Sequence, residues 1–206
     1  MPLPPTITRV ERTFGFLDIS RFTAYTDQRG DAMAVGALAD FRMVVRDVCS
    51  RCGVRVDKWL GDGAMFVCVE TAPLVQAVLG IEQRLSEIGF PLPLRAGIAS
   101  GLVILFDGDD YIGMPVNLAS RLCAEASPGE VLVTDVVAQS APEWARSRWM
   151  GDLDVRGVAA PVAVEALSSV AEPVRPDPET PDSETPLATP SMATSMTPSM
   201  TRRPIS

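Results

Sequence analysis

The stretch Val54 to Val69, VRVDKWLGDGAMFVCV, decides how the chain is read. Two short apolar runs flank Leu60-Gly61-Asp62-Gly63, and a carboxylate with glycine on both sides between such runs predicts the tip of a β-hairpin. An acidic side chain is thereby held at the end of two strands, with Lys58 four residues ahead of it. Turn chemistry alone accounts for many polar tips. A second carboxylate raises this one above that: Asp18, in FGFLDISRFT, stands where another apolar run ends. The plain alternative for Asp18 is a helix N-cap, since a helical pattern follows it.

The surrounding composition narrows the chemistry. At 206 residues, 47% hydrophobic and 21% charged, the chain has the balance of a soluble globular protein and reads as one domain with an appendage. A net charge of −8 argues against nucleic acid as the partner, because phosphate backbones demand a basic footprint. There is no histidine, which excludes Ser-His-Asp and Cys-His nucleophiles and any His-ligated zinc site. Chemistry must therefore run on carboxylates, Lys, Arg, Asn or a bound metal. Of the four cysteines, Cys49 and Cys52 have CxxC spacing but no second CxxC, and they read as buried thiols in a reducing compartment. No signal pattern opens the chain and no apolar run approaches the ~18 residues of a membrane span, so the expectation is a cytoplasmic protein away from the membrane.

Taken in order, Thr13 to Leu17 reads as the first strand. From Asp31, apolar residues at Val35, Leu38, Phe41, Val44, Val45 and Val48 predict an amphipathic helix that Gly53 ends. The hairpin follows, its strands dense in Val and Phe as suits a central place in a sheet. A helix starts at Pro73. Leu94 to Ser100 and Leu102 to Phe106 read as two strands around Gly101, and the loop Asp107 to Asp110 leads into a helix over Val116 to Ala126. On that helix Asn117 and Arg121 are four apart and share a face. A strand at Glu130 to Val133, a short helix from Thr134, a segment around Trp144 to Trp149 and a strand at Val162 to Leu167 complete the pattern. This order predicts an α+β domain with an antiparallel central sheet covered by helices on one face. From Ser168 on, 21 of 39 residues are Ser, Thr or Pro and none is aromatic, the composition of a disordered tail.

Together FLDISRFT, KWLGDG, GIASG, DYIGMPVNLASR and the closing GDLDVRGVAAPVAVEAL resemble the catalytic domain of class III nucleotidyl cyclases, in detail the short single-domain adenylate cyclases of mycobacteria. The resemblance implies a ferredoxin-like antiparallel central sheet with helices packed on it. It divides the chain into an extension at 1–11, a catalytic domain at 12–167 and the tail at 168–206, with no regulatory domain ahead of the catalytic one. It implies an adenylate cyclase that turns ATP into 3′,5′-cyclic AMP and pyrophosphate. Asp18 and Asp62 match the metal-binding aspartates, with the backbone of Ile19 beside them. Lys58 and Asp110 match the pair that recognises adenine, Asn117 the residue that orients the ribose, and Arg121 the arginine that stabilises the transition state. Two Mg²⁺ or Mn²⁺ ions per site are implied, as is a homodimer whose sites are shared between the chains. The backbone amides of Ile19 to Thr23, Phe22 among them, are placed to cradle phosphates.

Some positions depart from the pattern. The segment between Gly101 and Asp110 is short, Leu102 stands where some relatives place a phosphate-binding arginine, and Arg156 lies where a basic residue often points toward the phosphates. Two other readings stand beside the adenylate cyclase. One is a guanylate cyclase, disfavoured by Lys58 and Asp110. The other is a nucleotide-binding signalling module without turnover, disfavoured by the intact metal and arginine positions. A diguanylate cyclase would carry a longer acidic signature at the hairpin tip.

Overall fold

A long strand, β1 (Thr8–Ile19), runs through the interior of the sheet. The computed structural model describes residues 8–106, 110–155, 158 and 160–169. After β1 come α1 (Phe22–Arg29), α2 (Asp31–Cys52), β2 (Arg55–Leu60), β3 (Gly63–Cys68) and α3 (Thr71–Glu87). The chain continues through β4 (Leu94–Phe106), β5 (Asp110–Ile112), α4 (Met114–Glu125), β6 (Glu130–Thr134), α5 (Asp135–Gln139), β7 (Ala145–Leu153) and β8 (Val162–Ser169). β5 pairs with the outer half of β4. Every pairing is antiparallel except β4 with β6, so the sheet is largely antiparallel and flanked by helices.

The strands show why these residues form a sheet with two covered faces. Along β1, Leu17 and Ile19 join Ala64, Phe66, Ala96 and Ile98 beneath α2 and α3, where Phe41, Val45, Leu74 and Val78 close one core. Phe14 points the other way and joins Met65, Val67, Ala99 and Val103 beneath Leu118, Ala119 and Leu122 of α4. Helices thus cover both faces, where the sequence pattern predicted one. Central strands buried on both sides lose the clean in-out alternation that would have revealed this.

Other boundaries also differ. β1 starts at Thr8, inside the stretch assigned to an extension, because residues 8 to 12 pair with Leu105 to Gly101. The two strands expected around Gly101 are one continuous β4, the segment expected around Trp144 to Trp149 enters β7 at Ala145, and β8 runs to Ser169. In the sheet order β2-β3-β1-β4-β6-β8-β7 only one strand of the hairpin is interior: β3 pairs with β1 and is buried, while β2 is the sheet's edge. α2 ends as predicted, with Gly53 in the left-handed conformation at φ 67°. Among the described residues no helix is long and apolar enough to cross a membrane. The tail assignment and Arg156 lie outside the described residues, apart from the last residues of β8.

Candidate active site

The hairpin tip is built from its anchors. Trp59, on β2, packs edge-on against Phe41 of α2, and the guanidinium groups of Arg42 and Arg46 lie 5.1 and 5.2 Å from the centre of its ring. Arg42 Nη2 also donates to the carbonyl of Gly61 at 3.2 Å. The turn is therefore fastened to a long helix through cation–π contacts and a charged hydrogen bond. Gly61 takes φ 69°, a conformation that favours glycine, and Asp62 follows it at the tip.

Asp18 meets that tip through sheet register. It pairs with Gly63 on one side and Arg95 on the other, and the amide of Ile19 donates to the carbonyl of Asp62 at 3.3 Å. Gly63 is required here: a Cβ would come within 2.7 Å of Leu17 O and 3.2 Å of Asp18 Oδ1. The two carboxylates predicted as metal ligands are brought together, and Asp18 is no helix cap, since Arg21 stands at the start of α1. Burial raises the Asp62 pKa, and the neighbouring Asp18 charge pushes it the same way.

Arg95 is a site residue the sequence reading missed. Its Nε and Nη2 both donate to Asp18 Oδ2, at 2.9 and 2.7 Å, and its Nη1 reaches the carbonyl of Ala124 at the end of α4 at 3.2 Å. The bond to Asp18 raises the Arg95 pKa. The only signal in sequence is a lone arginine in the apolar strand LRAGIAS.

Lys58 and Asp110 lie 52 residues apart in the chain and meet as an ion pair at 2.5 Å. The fold achieves this by pairing β5 with the end of β4, Asp110 opposite Phe106, while Tyr111 packs edge-on against Phe14 with ring centres 5.3 Å apart. On the other side, a β-bulge between Val56 and Lys58 sets Lys58 opposite Met65. The bulged residue, Asp57, has a side chain only 1% exposed. Arg55 Nη2 approaches its Oδ1 at 2.7 Å without hydrogen-bond alignment, so both oxygens lack a hydrogen bond among the described residues.

Asn117 and Arg121 stand a turn apart on the exposed side of α4, as the spacing predicted. α4 lies against β4 at Gly97, where a Cβ would run into the backbone of Ala119 and Cys123. The amides offered to phosphate are narrowed: Ile19 donates to Asp62 and Ser20 to Pro93, which leaves Arg21, Phe22 and Thr23 at the start of α1. Leu102 is exposed on β4. Cys49 is buried and its pKa is pushed up to about 12 by burial; Cys52 is also raised by burial, and both are free thiols.

Among the described residues no cluster of three or more His, Cys, Asp or Glu gathers to hold a metal. Two adjoining carboxylates nevertheless fit Mg²⁺ or Mn²⁺. They are hard oxygen donors, their charges already oppose each other, and such ions characteristically take one or two carboxylates and complete their shell with phosphate and water.

No protein-family model matches the chain. An uncharacterized protein of Mycobacterium tuberculosis is 37% identical over 148 residues, covering 72% of this chain and 39% of that protein. A pH-sensitive adenylate cyclase of the same species is 41% identical over 107 residues, or 49% of this chain and 26% of that one. The chain thus spans well under half the length of these relatives. Among solved structures, the adenylyl cyclase CyaB of P. aeruginosa superimposes with a TM-score of 0.72 at 23% identity, covering 82% of this chain and all of that one. By fold, and by sequence over part of these relatives, the chain carries a class III nucleotidyl-cyclase-like domain.

Proposed function

We propose that the protein is an adenylate cyclase that converts ATP to 3′,5′-cyclic AMP and pyrophosphate at sites shared by two copies of the chain. The observation that carries the choice of base is the meeting of Lys58 and Asp110. Adenine presents an acceptor at N1 and a donor at its 6-amino group; a lysine donates to the first and an aspartate accepts from the second. Guanine reverses that pattern and would leave both groups facing their like.

In the reaction the 3′ oxygen forms a bond to the α-phosphorus, the bond from that phosphorus to the bridging oxygen of pyrophosphate breaks, and the hydroxyl proton passes to solvent. Asp18 and Asp62, at the end of the sheet, would hold Mg²⁺ or Mn²⁺, which when bound would lower the pKa of the hydroxyl and offset the charge of the phosphates. Asn117 orients the ribose, and Arg121, on a helix locked to β4, faces the negative charge that grows on the phosphoryl oxygens. The amides of Phe22 and Thr23, at the start of α1, receive the polyphosphate. Asp18 and Asp62 serve one site of the dimer, and Lys58, Asp110, Asn117 and Arg121 serve the other, so the single chain is inactive.

The test is purified protein with ATP or GTP and either Mg²⁺ or Mn²⁺, following cyclic nucleotide and pyrophosphate. Cyclic AMP in excess of cyclic GMP is the expected result. Product mainly from GTP overturns the assignment of Lys58 and Asp110, and no product from either nucleotide overturns the enzyme.

A further inference from the structure

We infer that Arg95 sets the metal threshold of this site: it is the standing counter-ion of Asp18 and keeps divalent-ion binding by the nucleotide-free protein weak. The inference rests on the reading of Asp18 and Asp62 as metal ligands. Three donors of Arg95 are held by two elements, Nε and Nη2 on Asp18 Oδ2 at 2.9 and 2.7 Å and Nη1 on Ala124 O at 3.2 Å. The guanidinium is thereby fixed on the carboxylate rather than left to swing in solvent. Its position is also dictated by the sheet, because Arg95 is the register partner of Asp18 between β1 and β4.

Both bonds fall on one oxygen, while Asp18 Oδ1 is turned toward Gly63 and the hairpin tip. A divalent ion that takes Asp18 as a ligand has two choices. It binds Oδ1 with a fixed positive charge across the same carboxylate, or it displaces Arg95 from Oδ2. Either choice costs affinity through like-charge repulsion or a lost charged hydrogen bond. A polyphosphate reverses the balance, because its negative charge offsets the arginine and the ion together. Arg95 is a positioning residue in this sense: it acts through Asp18 and couples metal loading to the arrival of the nucleotide.

The experiment is titration of the full chain with Mn²⁺ alone, free ion being read by electron paramagnetic resonance. Arg95→Gln keeps a donor for Asp18 and removes the charge; it is expected to bind Mn²⁺ about tenfold more tightly than the wild type, a modest share of the Coulomb energy because the pair is about one third exposed. Arg95→Lys keeps the charge and is expected to stay within about threefold of the wild type. Arg95→Met, read the same way, replaces Arg95→Gln if the latter does not fold. Unchanged or weaker binding by the uncharged variant, or equal tightening by Arg95→Lys, overturns the inference. Asp18→Asn separates the two layers: if it binds Mn²⁺ like the wild type, the metal-ligand reading has failed, and if it loses binding while Arg95→Gln fails to tighten it, only the role of Arg95 has.

Discussion

Asp62 is held at a cost, and the sign of that cost can be measured. Burial, then the charge of Asp18, raise its pKa in the folded chain above the ordinary aspartate range. A raised carboxyl pKa adds stability that is fully present below the unfolded value and is lost as pH rises through the folded one. At pH 7 the ionised Asp62 therefore weakens the fold. Asp62→Asn is expected to raise the melting temperature at pH 7 without added metal, to lose that advantage toward pH 4, and to abolish turnover; a lower melting temperature at pH 7 would contradict it. Lys58 gives a second test at this scale. Lys58→Ala removes one charged hydrogen bond to the base, worth about 1.5–3 kcal/mol, so kcat/KM for ATP falls roughly 10- to 100-fold and the preference over GTP narrows. Arg121→Ala acts on the transition state and lowers kcat by about 10²- to 10³-fold with little change in KM, separable from Lys58 by steady-state kinetics. Asp18 and Asp62 were legible from sequence because a glycine-flanked turn and a strand end are local patterns. Arg95 was not, because its partner lies 77 residues away and only strand register brings them together. Asp57 escaped for a related reason: a β-bulge leaves no mark on apolar periodicity.

The elements that position these side chains differ in how plainly the sequence announces them. α2 was readable from its three-and-four spacing and its closing glycine, but only half of the expected stripe is buried: Phe41, Val44 and Val45 are, Leu38 and Val48 are half-buried, Val35 is exposed, and Ala34, Ala37 and Cys49 complete the covered face. The covering of both sheet faces was hidden, since Phe14 and Leu17 on one strand serve opposite cores. Gly101, read as a break, lies inside a strand of 13 residues. Gly97, on the same strand, carries a sharper consequence. A methyl group there meets the backbone of Ala119 and Cys123, which cannot rotate away as a flexible side chain would. Gly97→Ala must lift α4 from the sheet, at about 1–3 kcal/mol, the usual cost of overpacking. Thermal unfolding will show the loss, and because α4 carries Asn117 and Arg121, kcat should fall in the protein that remains folded. The thiol of Cys123 reports the same packing: burial pushes its pKa up to about 12 and its Sγ donates to Arg95 O at 3.5 Å. At pH 8 it is almost wholly protonated and should resist iodoacetamide, whereas Gly97→Ala should expose it to labelling.

At the scale of the whole molecule the question is how one chain supplies two unlike sets of residues. The proposed metal pair sits where β1 meets the hairpin tip, and Lys58, only four residues from Asp62, meets Asp110 at the start of β5. The stretch Lys58 to Asp62 thus begins facing one chemistry and ends at another. The proposed two-fold dimer would use both ends at once, Asp62 in one site and Lys58 in its mate. Mixing chains tests this without any structure of the dimer. Asp18→Ala destroys the metal pair and Arg121→Ala the transition-state contact, so each homodimer is inactive. In the mixed dimer one site inherits both defects and the other neither. With random exchange half the dimers are mixed and each has one sound site, so activity should return to about a quarter of wild type per chain. Affinity tags of two kinds on the two variants isolate the mixed dimer, which should then reach about half. If tagged heterodimers are recovered and remain inactive, Asp18 and Arg121 serve the same chain's site, and the placement of Lys58 and Asp62 at different sites fails with it.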